Sequence, residues 1–205
     1  MPYSKFTLEQ VLDRFHLRLN AERFFPQAEH TAPSAWLQET LALGTAAGFS
    51  NEKEKSERII SPILLDLNRL FDQRLTIYSG RNLKVDVAQD LVGECDFILS
   101  FSAVKDVVQA PLFTLVEAKH EDLDSGMAQC AVQMVASRLF NERAGQPVDT
   151  IYGCATIGEV WRFLRLTGDT LWLDNDRYYL ADLPRLMGAL RAVVKRCEAV
   201  YGVRT

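Results

Sequence analysis

The chain has 205 residues, of which 48% are hydrophobic and 24% are charged, and its formal net charge is −4. These proportions suit one globular domain with a full core and a small helical extension. No apolar run approaches the roughly 20 residues that a membrane span requires, and the first twenty residues lack the apolar segment of a secretory signal. The sequence therefore predicts a cytoplasmic protein without a membrane partner.

The four cysteines, Cys95, Cys130, Cys154 and Cys197, are far apart and form no C-x-x-C or Cys/His pair. This spacing argues against a zinc site and, without a secretory signal, against a disulfide framework. We expect buried, reduced thiols. The negative net charge argues against a large nonspecific nucleic-acid surface, because phosphate contacts come from Lys and Arg. It still allows a cleft with a local basic rim.

The first fifty residues predict two helices. Residues 7–20 place apolar side chains on one helical stripe, and Thr7 with Gln10 has the spacing of a capping box. A second helix is predicted for 34–45, ending near a glycine. Neither segment carries a catalytic pattern, so both packing and substrate contact remain open for them.

A long helix is predicted for 51–72, with a highly charged start and an apolar second half. Pro62 lies inside this helix and removes one helical hydrogen bond. It also disfavours helical geometry at Ser61, so we expect a kink or a restart with Ser61 as N-cap.

Alternating apolar positions rich in β-branched and aromatic residues follow, a pattern typical of strands. Predicted strands and helices then occur in this order: strands 75–79, 83–87, 95–101 and 112–118, helix 124–142 with Asp124 as N-cap, strands 150–155, 160–166 and 170–173, and helix 183–201. This order predicts an α/β domain with a mixed central β-sheet flanked by helices. We assign it to residues 51–205, with an N-terminal helical extension over 1–50.

Two charged residues, Glu117 and Lys119, end an apolar strand that begins after Pro111. Side chains alternate along a strand, so we expect Phe113, Leu115, Glu117 and Lys119 to share one face. Burying either charge alone is expensive. A partner group or a metal ion is therefore expected at this end of the strand.

Asp96 lies near the start of the preceding strand, which otherwise has the composition of a core strand. A hairpin through 102–110 would place this strand antiparallel to the Glu117 strand and bring both carboxylates to the same end of the sheet. Two converging carboxylates, with water, suit a hard divalent cation such as Mg²⁺. An ammonium beside them, that of Lys119, can orient the attacking water and stabilise charge on a phosphate.

The combination of Asp96 with Glu117-Ala118-Lys119, preceded by a helix that carries acidic residues, resembles the PD-(D/E)XK nuclease superfamily of restriction-endonuclease-like domains. The resemblance covers roughly residues 55–166, and Cys95 stands where the family name has proline. It implies an αβββαβ core. It further implies that Asp96 and Glu117 bind Mg²⁺, with Mn²⁺ as a substitute, and that Lys119 is catalytic.

Two further side chains follow from the same resemblance. Many members add a glutamate from the first core helix, for which Glu57 is the match and Glu54 the substitute. Many also carry a glutamine on the helix after the motif, where Gln133 and Gln129 are the candidates. The predicted catalytic set is therefore Asp96, Glu117, Lys119, Glu57 and Gln133, with Asp96, Glu117 and Glu57 as metal ligands.

The function implied is a Mg²⁺-dependent endonuclease, a hydrolase of phosphodiester bonds, with DNA as the expected substrate. A two-fold homodimer would suit cleavage of both strands. A catalytically inactive module of the same fold, binding nucleic acid or a protein, is the alternative. An enzyme acting on a small phosphorylated substrate is a third possibility, but no glycine-rich phosphate loop is present. A simple surface ion pair between Glu117 and Lys119 also remains open.

Overall fold

Eight strands form one sheet in the computed structural model, which describes residues 3–119 and 121–201. The strands are β1 Arg18–Glu22, β2 Thr76–Asp86, β3 Leu91–Ser100, β4 Leu112–Ala118, β5 Thr150–Thr156, β6 Val160–Thr167, β7 Thr170–Asp174 and β8 Tyr178–Tyr179. The helices are α1 Leu8–Arg14, α2 Ala35–Ala47, α3 Glu52–Lys55, α4 Ser61–Arg69, α5 Leu123–Arg143 and α6 Leu183–Tyr201. A π-helical turn, Ser56–Ile60, joins α3 to α4, and 3₁₀ turns occur at Tyr3–Lys5 and Leu180–Asp182.

The strand order is β1-β7-β6-β5-β4-β3-β2, and β8 pairs with β6. The pairs β1–β7 and β4–β5 are parallel, whereas the other pairs are antiparallel. Helix α5 provides the crossover between the parallel strands β4 and β5, as parallel neighbours require. The predicted mixed α/β sheet flanked by helices is therefore confirmed.

Each face of the sheet has its own hydrophobic core. The core that we call the α6 core includes Ile59, Leu64, Phe113, Trp161 and Leu190, and lies between the sheet and helices α2, α4 and α6. The core that we call the α5 core includes Val11, Leu115, Cys130, Met134 and Leu164, and lies between the sheet and helices α1 and α5. The candidate site residues lie at the end of β4, where its pairing with β3 stops while β3 stays paired with β2 as far as Leu91.

All four cysteines are buried and free, as predicted. No helix in the described ranges is both long and apolar enough to cross a bilayer.

The N-terminal helix is shorter than predicted. The capping box between Thr7 and Gln10 is present, but the helix ends at Arg14 because His16 adopts a left-handed backbone conformation, with φ of 52°. The chain then forms strand β1, which pairs with β7 at the edge of the sheet. The boundary expected at residue 50 stays a prediction, and the segment before it contributes a strand as well as helices.

The second predicted helix is confirmed as α2, with Ser34 as N-cap. The N-cap expected at Ser61 is wrong, because Ser61 is itself helical and its N–H bonds to the Ser56 carbonyl five residues earlier. The helix thus passes Pro62 through a π-helical turn. Gly44 of α2 approaches this turn closely, since a Cβ there would lie 2.8 Å from the Arg58 carbonyl oxygen.

The two predicted strands 75–79 and 83–87 are a single strand, β2. Gly80 has φ of 60° but does not end the strand, because pairing continues from Ser79 with Phe97 to Arg81 with Cys95. The edge strand therefore keeps its register across Gly80, and the register shifts only between Lys84 and Asp86. Strand β3 also begins earlier than predicted, so the hairpin between β2 and β3 is longer on both sides.

Strand β4 and helix α6 have the predicted bounds, and strands β5 to β7 extend the predicted ones by one residue each. Helix α5 begins at Leu123, and its N-cap is Asp122, whose side chain accepts a hydrogen bond from the Ser125 N–H. The N-cap predicted at Asp124 is wrong because the helix starts one residue earlier than expected.

Candidate functional site

Asp96 and Glu117 lie side by side on the neighbouring strands β3 and β4. These strands are antiparallel, and the pairing of Phe97 with Val116 places Asp96 opposite Glu117 at the next position. The Asp96 carboxylate turns toward β4, where Oδ2 accepts a hydrogen bond from the Ala118 N–H at 2.8 Å. The two residues therefore lie on neighbouring strands where the pairing of β3 with β4 stops, and the hairpin spacing predicts this juxtaposition.

The Glu117 carboxyl group is fully buried and has two side-chain partners. Its Oε1 accepts a hydrogen bond from the Lys119 ammonium at 2.6 Å, and its Oε2 accepts one from the Gln133 amide at 2.8 Å. Burial, followed by repulsion from Asp96, raises the pKa of Glu117 to about 8, although Lys119 and Gln133 act in the opposite direction. At neutral pH the carboxyl group therefore mostly holds a proton, and a cation bound beside it would favour the ionised form.

The prediction that Phe113 shares a face with Leu115, Glu117 and Lys119 is wrong at Phe113. The pairing of β3 with β4 changes register near the end of β3, which inserts one extra residue into β4. Side chains alternate along a strand, so one extra residue moves each side chain that precedes it to the opposite face of the sheet. Phe113 therefore lies in the α6 core, stacked on Phe101 with ring centroids 4.5 Å apart.

Lys119 joins the buried carboxyl group to helix α3. Its ammonium lies 2.6 Å from Glu117 Oε1 and 3.7 Å from Glu52 Oε1, and its side chain is 16% exposed. Burial opposes protonation of Lys119, but Glu117 and Glu52 outweigh it and raise the pKa of Lys119. The lysine therefore stays charged, and it lies between the interior and the surface of the site.

The backbone and stem of Lys119 are fixed by two other elements. Its N–H donates to the Thr156 carbonyl at 2.8 Å, which extends the pairing of β4 with β5. The stem passes Gly126 in the first turn of α5, where a Cβ would lie 3.1 Å from Cγ of Lys119. Helix α5 thus comes close to the lysine because residue 126 has no side chain.

Of the two candidate glutamines, Gln133 contacts the site. Its amide nitrogen donates to Glu117 Oε2 and, at 3.3 Å, to the Glu94 carbonyl of β3. Gln129 is also buried, and the Oε1 atoms of both glutamines lack a hydrogen-bond partner among the described residues, so the two differ in the bonds that the Gln133 amide nitrogen donates. Gln133 therefore ties helix α5 to both strands that carry the acidic pair, and it orients the Glu117 carboxyl group.

A cleft of about 430 Å³ opens beside Asp96, between the end of the sheet and the start of α3. Its lining residues are Glu52, Lys53, Ser56, Glu57, Ser79, Gly80, Glu94, Asp96 and Phe97. Four of these side chains are carboxylates and one is a lysine, so the cleft attracts cations. Gly80, opposite Asp96 on β2, presents no side chain to this space.

The glutamates of the first core helix take different positions. Glu57 lines the cleft from the π-helical turn, and its carboxylate is paired only loosely with Lys53, at 3.8 Å. Glu54, the substitute candidate, instead accepts hydrogen bonds from the backbone and hydroxyl of Ser50. Single π-helical turns occur frequently at functional sites, which is consistent with the place of Glu57.

Glu52 is the site residue that the sequence analysis missed. It both lines the cleft and contacts Lys119. Its only signal in sequence is its position at the start of the charge run that ends at Arg58, and that run is also typical of a solvated helix face. His120, expected to be an ordinary loop residue, lies outside the described residues.

The donor chemistry of the site fits a hard divalent cation. Asp96 and Glu117 supply carboxylate oxygens at adjacent positions. Burial and repulsion from Asp96 raise the pKa of Glu117 in spite of the Lys119 ammonium beside it, and a divalent cation there would favour the ionised form. Within 3–119 and 121–201, however, no three His, Cys, Asp or Glu side chains cluster closely enough to hold a metal by themselves. Water would have to complete the coordination shell, as is usual for Mg²⁺.

The sequence matched none of the protein-family models against which it was compared. A comparison with curated proteins likewise gave no match.

Proposed function

We propose that this protein is a Mg²⁺-dependent nuclease that hydrolyses phosphodiester bonds in DNA. The observation that carries the proposal is the placement of Asp96 opposite Glu117, whose carboxyl group contacts Lys119, at the end of β4 beside an open acidic cleft. A cytoplasmic location and a homodimer remain predictions that accompany it.

The order of the elements supports a restriction-endonuclease-like core. A helical segment, α3 to α4, precedes the antiparallel strands β2, β3 and β4, and α5 then leads to β5, parallel to β4. This order agrees with the αβββαβ arrangement that the resemblance implies. Proteins with the same topology can have many different functions. The proposed chemistry therefore rests on the site residues.

In the proposed reaction, Asp96 and Glu117 would hold the cation and water would complete its coordination shell. Glu57, across the cleft, would contact the cation through a coordinated water. A bound Mg²⁺ supplies positive charge at the phosphate and lowers the pKa of a coordinated water. Lys119 contributes a fixed ammonium that orients the attacking water and stabilises the charge that develops on the phosphate. Gln133 and Glu52 keep the Glu117 carboxyl group and the Lys119 ammonium in place through the contacts described above.

The negative charge of the cleft opposes the binding of a phosphate-containing substrate. Its lining has four carboxylates and a single lysine, so in the absence of a cation it repels a phosphate. We therefore expect divalent cations to be required for tight DNA binding at the site as well as for hydrolysis. Ca²⁺, which binds oxygen ligands as Mg²⁺ does but with looser geometry, separates these two requirements experimentally.

The test is cleavage of supercoiled plasmid, linear duplex and single-stranded DNA with Mg²⁺, with Mn²⁺ and with chelator. Cleavage should require metal and should fall by about 10²–10³-fold in Asp96→Ala and in Lys119→Ala. Glu54→Gln is the matched control, because Glu54 lies on α3 but bonds to Ser50. Activity that persists in both site variants would assign the cleavage to another site or to a contaminant.

A catalytically inactive module is the second candidate, and one observation favours it. The Lys119 ammonium is already paired with two carboxylates, Glu117 and Glu52, an arrangement that is electrostatically satisfied without a metal. If wild-type protein cleaves none of the three substrates and calorimetry detects no binding of Mg²⁺ or Mn²⁺, the second candidate replaces the first.

A further inference from the structure

A second cleft, of about 650 Å³, lies at the opposite end of the sheet from the candidate site. It is lined by Asp149, Thr150, Tyr152, Arg165, Thr167, Trp172, Arg196, Cys197, Ala199, Val200 and Tyr201. Strand β5 runs from this cleft, at Thr150, to the candidate site, at Thr156, a separation of roughly 20 Å at about 3.3 Å per residue. The two clefts are therefore separate.

Arg165 forms part of the floor of this second cleft. Its guanidinium is held between two rings, 5.1 Å from the Phe24 centroid and 5.0 Å from the Trp172 centroid. Glu22 pairs with one of its terminal nitrogens at 2.9 Å. Its Nε, by contrast, is buried and has no hydrogen-bond partner among the described residues. A buried donor without an acceptor is costly. Because Nε itself is closed to solvent, a ligand in the cleft can contact only the exposed remainder of the Arg165 side chain, 19% of its surface.

Arg196 brings a second guanidinium to the same cleft from helix α6. It lies 5.0 Å from the Phe25 centroid and donates to the Phe24 carbonyl at 2.9 Å. Both arginines are thus held in position by the segment that follows β1. The lining contains these two cations and one carboxylate, Asp149, so its charge balance is opposite to that of the first cleft. Planar guanidinium groups are well suited to binding a phosphate.

The rest of the second cleft is aromatic and apolar. Trp172 is partly exposed at its floor, and Val200 and Tyr201 form the wall from the end of α6. The Tyr201 hydroxyl accepts hydrogen bonds from the N–H groups of Asp149 and Thr150, at 3.0 and 3.4 Å, which fixes that wall to the start of β5. The volume falls within the range of about 300–1,000 Å³ that is typical of small-molecule sites.

We propose that this second cleft binds a phosphorylated nucleoside. The phosphate pairs with Arg165 and Arg196, and the base lies against Trp172 and the apolar end of α6. A free nucleotide and the phosphorylated end of a DNA strand present the same chemistry to these residues. The site is distinct from the proposed catalytic centre, and it does not depend on the nuclease function.

The test is a titration of the full chain with deoxyadenosine monophosphate, followed by calorimetry and by tryptophan fluorescence. Deoxyadenosine and inorganic phosphate each present one part of the nucleotide, and each should bind more weakly than the whole nucleotide. A single-stranded oligonucleotide with a 5′ phosphate, compared with its unphosphorylated form, shows whether a strand end also binds. The Trp172→Phe protein should lose the fluorescence change, because Trp36 and Trp161 do not line this cleft.

Arg196→Gln should weaken nucleotide binding by about tenfold or more, and Arg165→Gln should do the same. Arg185→Gln is the matched control, since Arg185 also stacks on a ring, that of Tyr178, but outside this cleft. Lys119→Ala should leave nucleotide binding unchanged, which separates this site from the catalytic proposal. Arg196 is exposed, so its variant should fold even if Arg165→Gln does not. The proposal is overturned if millimolar nucleotide does not bind, or if it binds equally to wild type and Arg196→Gln.

Discussion

A Cβ atom at residue 126 would lie 3.1 Å from Cγ of Lys119 and 3.4 Å from Cβ of Ala155. The first turn of α5 can therefore lie against the lysine stem only because residue 126 is glycine. This contact links the orientation of the Lys119 ammonium to the position of a helix, and it can be tested through stability as well as through activity.

Gly126→Ala should move the Lys119 stem by a few tenths of an ångström and lower metal-dependent cleavage. In stability, the gain in helix propensity of about 1 kcal/mol should be offset by an overpacking cost of about 1–3 kcal/mol. The free energy of unfolding, measured by urea denaturation, should therefore stay the same or fall.

The control for this prediction is the same substitution in a Lys119→Ala background. There the lysine stem is gone, so Gly126→Ala should raise the free energy of unfolding by about 0.5–1 kcal/mol. Equal effects of Gly126→Ala in the two backgrounds would show that residue 126 does not act through Lys119.

The pKa of Glu117, raised from 4.5 to about 8, predicts a pH dependence with a definite sign. The folded state holds this proton more tightly than the unfolded state. The contribution of this proton to the free energy of unfolding is thus fully present below about pH 4.5 and is lost as pH rises toward 8. Without metal, the free energy of unfolding of wild type should fall over this range relative to that of Glu117→Gln.

Mg²⁺ binding should show the opposite trend, because the metal requires the ionised carboxylate. Its affinity should rise from pH 6 to about 8 and then level off, and binding at pH 7 should release close to one proton. Calorimetry in two buffers of different ionisation enthalpy measures that release. A pH-independent affinity would remove Glu117 from the set of ligands.

Gln133→Leu should destabilise the protein by about 1–3 kcal/mol, because it leaves a buried oxygen of Glu117 without its hydrogen bond. It should also raise the pKa of Glu117 further, since this hydrogen bond lowers it. Gln129→Leu is the matched variant on the same helix. The Gln129 Oε1 has no partner in the described chain, so its loss should cost little. Similar urea midpoints for the two variants would contradict the assigned role of Gln133.

Glu52→Gln should change the pH profile of cleavage, because Glu52 contributes to the raised pKa of Lys119. We expect the alkaline limb of the profile to move to lower pH, with the folded state unaffected, since Glu52 lies at the surface of the cleft. Glu54→Gln, two residues along the same helix, removes a bond to Ser50 and should leave the profile unchanged. Identical profiles for wild type and Glu52→Gln would mean that the 3.7 Å contact has no electrostatic consequence.

Much of the fold near the site was predictable from local pattern. Strand β4 has the predicted bounds because it is a continuous apolar run. Asp96 reaches Glu117 because a hairpin between consecutive strands leaves little freedom of register. The errors lie where long-range pairing overrides local signals. Gly80 is typical of a strand end, yet β2 continues through it as an edge strand paired with β3. The residues predicted to extend the first helix form β1 instead, because β7 offers an open edge.

The mixed sheet, the hairpin that joins Asp96 to Glu117 and the position of Lys119 after them can be read from the sequence, since they follow from side-chain periodicity and from pairing between neighbouring strands. The contact of Gln133 rather than Gln129 with Glu117, and that of Glu52 with Lys119, depends on the folded arrangement of the helices. Gln129 and Gln133 lie one helical turn apart on α5, and Glu52 and Glu57 lie within one run of charged residues. Their roles depend on how far a helix is rotated and shifted against the sheet, which is set by the packing of the whole core and not by local sequence.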